Sequence, residues 1–246
     1  KLFAWKLGGI EMLEIKIKLT TVSSCLIGNQ TESFSVGGVD QSTTVDENGN
    51  PIIHGSAFKG AFRNIVRERE KMSEGMIVTK DYVKSLVEKT LTKYKAISEE
   101  EKTEKINKML ANLEEKAKNP KAEYIFGMEG INGMPRLFCS DFRVAVNQGK
   151  SKEDYFLIET KTSLEEKEGE IFSNPRTYKV VKPGVVFVGT IQFYNPFFEK
   201  SEDEAEKLKN MKNELEEALM AFNDRIYGIG NSKSRGYGQV QVEILQ

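Results

Sequence analysis

Apolar and polar residues alternate strictly near the start of the chain, in the stretch LEIKIKLTT. The apolar positions of this stretch are Leu13, Ile15, Ile17 and Leu19. Alternation with a period of two predicts a β-strand that buries one face and exposes the other. The stretches MPRLFCSDFRVAV, KPGVVFVGTIQFY and QVQVEIL are also rich in strand-forming residues and predict further strands.

A period near 3.6 replaces this alternation in GSAFKGAFRNIVRERE, which predicts a helix with Ser56 as its N-cap. The apolar stripe of this helix consists of Phe58, Phe62 and Ile65. Three cations recur every fourth residue and share another face: Lys59, Arg63 and Arg67. Between the first strand and this helix lies a long stretch of glycine and polar residues, in which DENGNP predicts a tight turn.

Two amphipathic helical patterns fill the charged stretch from about 80 to 118, and a fourth helix begins at the capping-box pair Ser201 and Glu204. The element order predicts an α+β fold of the ferredoxin-like (RRM-like) kind. We assign residues 12–75 and 121–246 to its core and residues 76–120 to a helical insertion, and we leave residues 1–11 unassigned.

Composition narrows the function only slightly. The 246 residues include 36 Lys+Arg and 37 Asp+Glu, a net charge of −1, so the chain lacks the overall basic charge common in nucleic-acid binders. Two cysteines and one histidine are too few for a zinc site or a disulfide framework, which favours a reducing, cytoplasmic compartment. No apolar run approaches the ~18 residues of a membrane span, so we expect no membrane partner.

Positive charge is concentrated in two glycine-rich stretches. The first, GIGNSKSRGYG, could bind an anion through successive backbone N–H groups and through Lys233 and Arg235. It has neither the spacing of a Walker A loop nor the strand–turn–helix order of a dinucleotide site, and an ordinary surface loop is the alternative. The second, IHGSAFKGAFR, places a helix N-terminus beside Lys59 and Arg63, a geometry suited to phosphate. Its alternative is a capped helix with solvent-facing cations.

A third stretch, IETKTSLEEKEGEIFSNPRTYKVVKPGVVF, carries the cluster Arg176, Tyr178 and Lys179. Cations alternating with an aromatic ring suit the stacking of bases and the binding of phosphates.

Together these stretches resemble the RAMP proteins of CRISPR effector complexes, in particular the repeated backbone subunit of type III (Csm/Cmr-like) complexes. The resemblance is carried by LIGNQTESFSVGGVD with NPIIHGSAFKGAFR, by the IETK…GVVF stretch, and by the ending GIGNSKSRGYGQV. It implies an RRM-like palm with a thumb hairpin, and copies that stack along a guide CRISPR RNA beside other subunits of the complex.

The resemblance also implies that Asp40, in GGVD, is the catalytic residue that cleaves target RNA. It further implies that Asp40 binds Mg²⁺ or another divalent cation for this reaction. The RNA-binding residues that it implies are Gly37, Gly38, Ser56, Lys59, Arg63, Arg176, Lys233, Ser234 and Arg235. The expected activity is therefore metal-dependent endoribonuclease cleavage.

Other interpretations stay open at this point. Asp40 could simply hydrogen-bond its own loop, and Asp46 or Glu47 could replace it, although both suit the turn of DENGN. His54 is a possible general base, and Asp141 is interpreted as structural. The chain could also be a non-catalytic RNA-binding RAMP subunit that caps or scaffolds the complex, or an enzyme acting on a small phosphate or nucleotide.

Overall fold

The computed structural model describes residues 12–28, 39–72, 75–97, 103–129, 131, 136–145, 151–167, 169–195 and 201–245. Predicted residues Gly37 and Gly38 lie outside this part of the chain. The strands are β1 (Met12–Thr21), β2 (Gln41–Ser42), β3 (Ile52–Ile53), β4 (Arg136–Cys139), β5 (Phe142–Val144), β6 (Phe156–Lys167), β7 (Glu170–Val181), β8 (Val186–Tyr194) and β9 (Val240–Leu245). The α-helices are α1 (Gly55–Glu70), α2 (Ile77–Lys95), α3 (Glu104–Lys118) and α4 (Glu202–Met220).

The larger of two sheets has the strand order β3-β5-β8-β1-β9, with β4 also paired to β8. Its pairs β1–β9, β3–β5, β4–β8 and β5–β8 are antiparallel. The first strand lies where the alternation predicts it, and its apolar positions are buried. The second sheet has the order β2-β7-β6. The α+β class predicted from the sequence is confirmed.

The described residues divide into two compact units. The described residues of the first unit fall within 12–15, 62–139 and 191–219, and those of the second fall within 16–61, 140–190 and 220–245. The helices α2 and α3 fall within the first unit. The boundaries at 76 and 120 that we assigned from the sequence stay a prediction.

The first unit packs helices on aromatic residues. The ring of Phe62 meets that of Phe126 edge to face at 5.3 Å, and Tyr82 meets Phe193 at 5.9 Å. The start of α2 is capped from α4, because the carboxylate of Glu214 accepts hydrogen bonds from the backbone N–H groups of Val78 and Thr79. None of the described helices is long and apolar enough to cross a membrane.

In the second unit, α1 begins at Gly55, so Ser56 lies inside the helix and the prediction of Ser56 as its N-cap is wrong. The Gly55 N–H instead donates to Asp141 Oδ1 at 2.8 Å, from the corner between β4 and β5. A carboxylate at a helix start satisfies a free donor and complements the dipole. This contact confirms the structural role predicted for Asp141, and the Phe58 ring nearby packs on that of Phe142 at 4.3 Å.

The strands β6 and β7 form a hairpin of twelve paired positions, from Phe156 opposite Val181 to Lys167 opposite Glu170. Gly169 closes its tip at a φ of 84°, a conformation that glycine adopts without steric cost. The hairpin lies in the stretch for which a thumb is predicted. The side chains of Ile158 and Ile171 on it are 71% and 72% exposed.

Candidate nucleic-acid interface

Two of the three stretches singled out in the sequence, the one near the end of the chain and the hairpin stretch, come together in the second unit around residues 22–28. On one side this segment bonds to residues 228–238 (GIGNSKSRGYG), here called the glycine loop, where the Asn231 N–H donates to the Leu26 carbonyl at 2.8 Å. On the other side it bonds to the base of the hairpin, where Cys25 and Val181 exchange two backbone hydrogen bonds of 3.0 and 2.9 Å. The segment therefore joins the predicted RNA-binding loop to the predicted thumb.

Asp40 lies at the same hairpin, immediately before β2. Its backbone N–H donates to the Thr177 carbonyl at 2.9 Å, and its carboxylate Oδ2 accepts from the Thr177 N–H at 2.6 Å. The strand β2 then continues in parallel along β7, with Gln41 opposite Tyr178. Asp40 is thus fixed against Thr177, the residue that follows Arg176, and the side chains of Asp40 and Arg176 are both exposed.

The donor set around Asp40 limits what metal chemistry it can support. Among the described residues, no group of three or more His, Cys, Asp and Glu side chains could hold a metal ion. Within that same part of the chain, the second carboxylate oxygen of Asp40, Oδ1, accepts no hydrogen bond. One carboxylate oxygen suits Mg²⁺, which keeps several waters and is commonly bound by one or two carboxylates together with substrate phosphates. The one unbonded carboxylate oxygen of Asp40 is therefore compatible with a hydrated divalent ion that takes its other ligands from outside the described residues.

The hairpin residues do not form the cation–aromatic–cation cluster that the sequence suggested. Tyr178 packs against the buried cluster of Leu26, Val180 and Tyr237. The Lys179 ammonium instead lies 4.7 Å from the centre of the Phe156 ring. Neighbouring residues of a strand point to opposite faces, so Tyr178 and Lys179 cannot share one surface.

The glycine loop is shaped mainly by its own backbone. A Cβ placed on Gly230, at a φ of 88°, would lie 2.3 Å from the Leu26 carbonyl oxygen, and one on Gly238 would lie 2.1 Å from the Ile229 oxygen. At these two positions glycine is required for internal packing and not for the approach of a ligand. A Cβ placed on Gly236, at a φ of 84°, would have no atom of the described residues within 4 Å apart from its chain neighbours. The close approach of RNA that we predicted for the loop glycines thus has room at Gly236.

Between these glycines, a single turn of 3-10 helix presents Lys233, Ser234 and Arg235 to solvent. The Arg235 guanidinium donates to the Ser232 hydroxyl at 3.0 Å, and Ser232 adopts a φ of 60°. The backbone therefore holds the cations outward on a tightly packed base. Such a turn can bind phosphate by charge and by backbone N–H groups.

A polar network missed in the sequence ties this loop to the hairpin. The carboxylate of Glu159 on β6 accepts from the Ser24 hydroxyl at 2.6 Å and from the Tyr237 hydroxyl. The Lys161 ammonium lies 3.9 Å from the centre of the Tyr237 ring. Burial, and then the hydrogen bond to Glu159, raise the pKa of Tyr237. Burial by itself would raise the pKa of Glu159, but the hydrogen bonds from Ser24 and Tyr237 outweigh it and lower that pKa.

The start of α1 offers less to an anion than its sequence suggests. Asp141 already accepts from the first N–H, and its carboxylate lies 3.6 Å from His54 Nδ1. A carboxylate at this end opposes the attraction of the helix dipole for phosphate. Ser56 is exposed in the first turn, and Lys59 is half-buried one turn further on.

Arg63 lies in the first unit and has an internal partner. Its Nε donates to Glu123 Oε2 at 3.1 Å, and Arg67 donates to the same oxygen from Nε at 3.1 Å and Nη2 at 2.8 Å. The predicted sharing of one face by these two arginines is confirmed. Their convergence on a nearly buried carboxylate is what the sequence did not show.

The two carboxylates considered as replacements for Asp40 have other partners. The Asp46 side chain accepts from the N–H groups of Asn48 and Asn50, both at 2.9 Å, and so forms the turn predicted for DENGN. Glu47 accepts from Arg143 Nη1 at 3.0 Å. These contacts favour structural roles for both.

The comparisons with known proteins agree on the fold. A family model described as the RAMP superfamily matches residues 18–241. No protein in the comparison with curated sequences matches the chain. A chain of a solved structure, "Cryo-EM structure of the Type III-B Cmr-beta bound to cognate target RNA", is similar with a TM-score of 0.54 and 18% identity. The similarity covers 96% of this chain and 61% of that one, and at this identity it shows the fold alone.

Proposed function

The chain belongs to the RAMP superfamily, and on that premise we propose that it is a guide-RNA-binding subunit of a type III CRISPR effector complex. The similar solved chain comes from a type III-B assembly bound to target RNA, which supports this assignment. The proposed partners are guide CRISPR RNA, target RNA, other subunits of the complex and further copies of this chain. A cytoplasmic location goes with this function and stays a prediction.

One observation carries the RNA-binding part: the glycine loop and the hairpin base are joined through residues 22–28, and Asp40 is bonded to the same hairpin at Thr177. This arrangement presents Lys233 and Arg235, and with them Arg176, from neighbouring parts of one unit. Cations of this kind contact phosphates, and phosphate contacts position a strand without reading its sequence. Such binding suits a subunit that has to hold guides of any sequence.

We further propose that Asp40 supports cleavage of target RNA. In such cleavage the 2′-oxygen bonds to phosphorus as the 5′-oxygen leaves, giving a cyclic phosphate and a 5′-hydroxyl. One proton leaves the 2′-hydroxyl and one is delivered to the leaving oxygen. Asp40 Oδ1 would hold a hydrated divalent ion, which when bound relieves negative charge at the phosphate. The cations of the loop and hairpin would fix the strand in line for attack.

A non-catalytic subunit that caps or scaffolds the complex is the second candidate, and one contact favours it. The two hydrogen bonds between Asp40 and Thr177 already give this carboxylate a structural use, since they anchor β2 to the hairpin. A subunit in which Asp40 served only as this anchor would bind RNA without cleaving it.

The test is cleavage of labelled RNA complementary to the guide, by the assembled complex with Mg²⁺. Asp40→Asn is the informative variant, because its amide oxygen can still accept from the Thr177 N–H while the charge is lost. Asp81→Asn, at an exposed position of α2, is the matched control.

We expect evenly spaced products from wild type and from Asp81→Asn, and a loss of at least about a hundredfold in rate for Asp40→Asn with guide binding retained. Cleavage by Asp40→Asn at the wild-type rate would remove Asp40 from the chemistry. Guide binding without cleavage in the wild type would establish the non-catalytic subunit.

A further inference from the structure

A cleft of about 630 Å³ opens within the first unit, where the end of α1, the start of α2 and the residues after α3 approach one another. It is lined mainly by charged side chains. Its cations are Arg67, Lys71, Lys80, Lys118 and Lys121. A volume of this size is typical of sites that bind small ligands.

The two carboxylates of the cleft are already engaged. Glu70 Oε2 accepts from the Ala122 N–H at 3.1 Å, and its Oε1 lies 3.5 Å from the Lys80 ammonium. Glu123 accepts from both arginines of the cationic face of α1. Burial alone would raise the pKa of Glu123, but the hydrogen bonds from Arg67 and then Arg63 outweigh it and lower that pKa. Glu123 is therefore held ionised.

A net positive charge remains after this pairing. Five cations against two carboxylates leave +3. The helices α1 and α3 both end at the cleft and α2 begins there, so two C-terminal charges of about −0.5 and one N-terminal charge of about +0.5 leave an excess of about +2.5. Lys71, Lys118 and Lys121 are exposed, and none of them has an ion-pair partner across the cleft among the described residues.

The chemistry of the lining indicates which anion would bind. Ammonium and guanidinium groups from three chain segments suit phosphate oxygens. The described lining contains no aromatic ring on which a base could stack. The cleft is thus built to bind charge and not to recognise a base.

We propose that this cleft binds an anion with at least two linked phosphate groups, supplied by an RNA backbone or by a free polyphosphate. A single phosphate would contact fewer of the five cations, which come from three separate segments of the chain. The proposal concerns the first unit only and does not rest on the RNA-cleaving function of Asp40.

The test uses the full chain with two probes, inorganic tripolyphosphate and a short single-stranded oligouridylate. Tripolyphosphate binding is measured by calorimetry. RNA binding is measured in a Lys233→Ala/Arg235→Ala background, which removes cations of the glycine loop. The variant pair is Lys71→Ala/Lys121→Ala. Its conservative counterpart is Lys71→Arg/Lys121→Arg, and the matched control is Lys84→Ala/Lys209→Ala, at exposed positions outside the cleft.

We expect the alanine pair at the cleft to weaken binding about tenfold and to lower the salt slope of single-stranded RNA binding by about 1.4. The arginine pair and the control should bind as the parent does. A loss confined to tripolyphosphate identifies a free polyphosphate as ligand, and a loss confined to RNA identifies a nucleic acid. If neither probe binds, or if the control pair loses as much affinity as the cleft pair, the proposal is overturned.

Discussion

Replacing Glu123 with glutamine should destabilise the first unit, because this one carboxylate neutralises two arginines of α1. Glu123 Oε2 accepts hydrogen bonds from Arg63 and from two nitrogens of Arg67, at 2.8 to 3.1 Å. The Glu123 side chain is only 10% exposed, whereas those of Arg63 and Arg67 are 39% and 47% exposed. Glutamine has nearly the same shape but carries no charge and brings an amide N–H₂ group towards the guanidinium groups.

The size of the effect follows from these contacts. A hydrogen bond to a charged group contributes about 1.5–3 kcal/mol, but the half-exposed arginines regain water when the bonds are lost. We therefore expect Glu123→Gln to lower the free energy of unfolding by about 2 kcal/mol in total. For a chain of this length, that corresponds to a fall in Tm of roughly 4–8 °C.

The effect should depend on pH in a direction set by the lowered pKa of Glu123. A carboxyl group whose pKa is lower in the folded state stabilises the fold above its unfolded value, which is 4.5 for glutamate here. That stabilisation disappears as the pH falls through the folded value. The difference between wild type and Glu123→Gln should be constant down to about pH 5.5 and shrink below about pH 4.5.

Urea denaturation at a series of pH values measures this difference, with Glu217→Gln at an exposed position of α4 as the control. The control should unfold as wild type does. A destabilisation of less than about 0.5 kcal/mol at neutral pH would refute the assigned strength of the contact. A difference that persists unchanged at about pH 3.5 would show that the charge of Glu123 is not its source.

Two further predictions concern the glycine loop. Tyr237→Phe removes the hydroxyl that donates to Glu159, and we expect a loss of about 1–2 kcal/mol in the free energy of unfolding, measured in urea, with an unchanged value arguing against the network. Gly230→Ala should abolish RNA binding in a gel-shift assay, because its Cβ would overlap the Leu26 carbonyl oxygen and distort the loop. Gly236→Ala should lower the free energy of unfolding by only about 1–2 kcal/mol, the cost of its positive φ. An equal loss of RNA binding in the two variants would contradict the packing described.

The glycine loop shows how the same composition serves two purposes. Gly230 and Gly238 allow backbone segments to pack closely, against the carbonyl groups of Leu26 and Ile229, while Gly236 has open space around it. Lys233 and Arg235 project from this rigid base. A binding turn fixed in advance loses less entropy on binding than a flexible loop would. The packing of Gly230 and Gly238 would therefore suit the loop to the RNA binding proposed above.

The sequence alone determined those features that depend on neighbours along the chain. Alternation placed β1, and the 3.6-residue period placed α1 and its buried stripe of Phe58, Phe62 and Ile65. The turn at DENGN followed equally from local chemistry, since Asp46 bonds to N–H groups two and four residues later. Local backbone preference and the burial of one face are written in residue spacing, so these elements could be predicted.

Tertiary structure decided which of the candidate residues meet. The anchor between Asp40 and Thr177 joins residues 137 positions apart, and Asp141 caps a helix that begins 86 positions earlier. The same is true of Glu123, which neutralises Arg63 from 60 positions away and so gives an apparently free cation an internal partner. A charge or a donor buried by folding must find its partner at whatever distance the fold places it, and spacing in the sequence does not encode that distance.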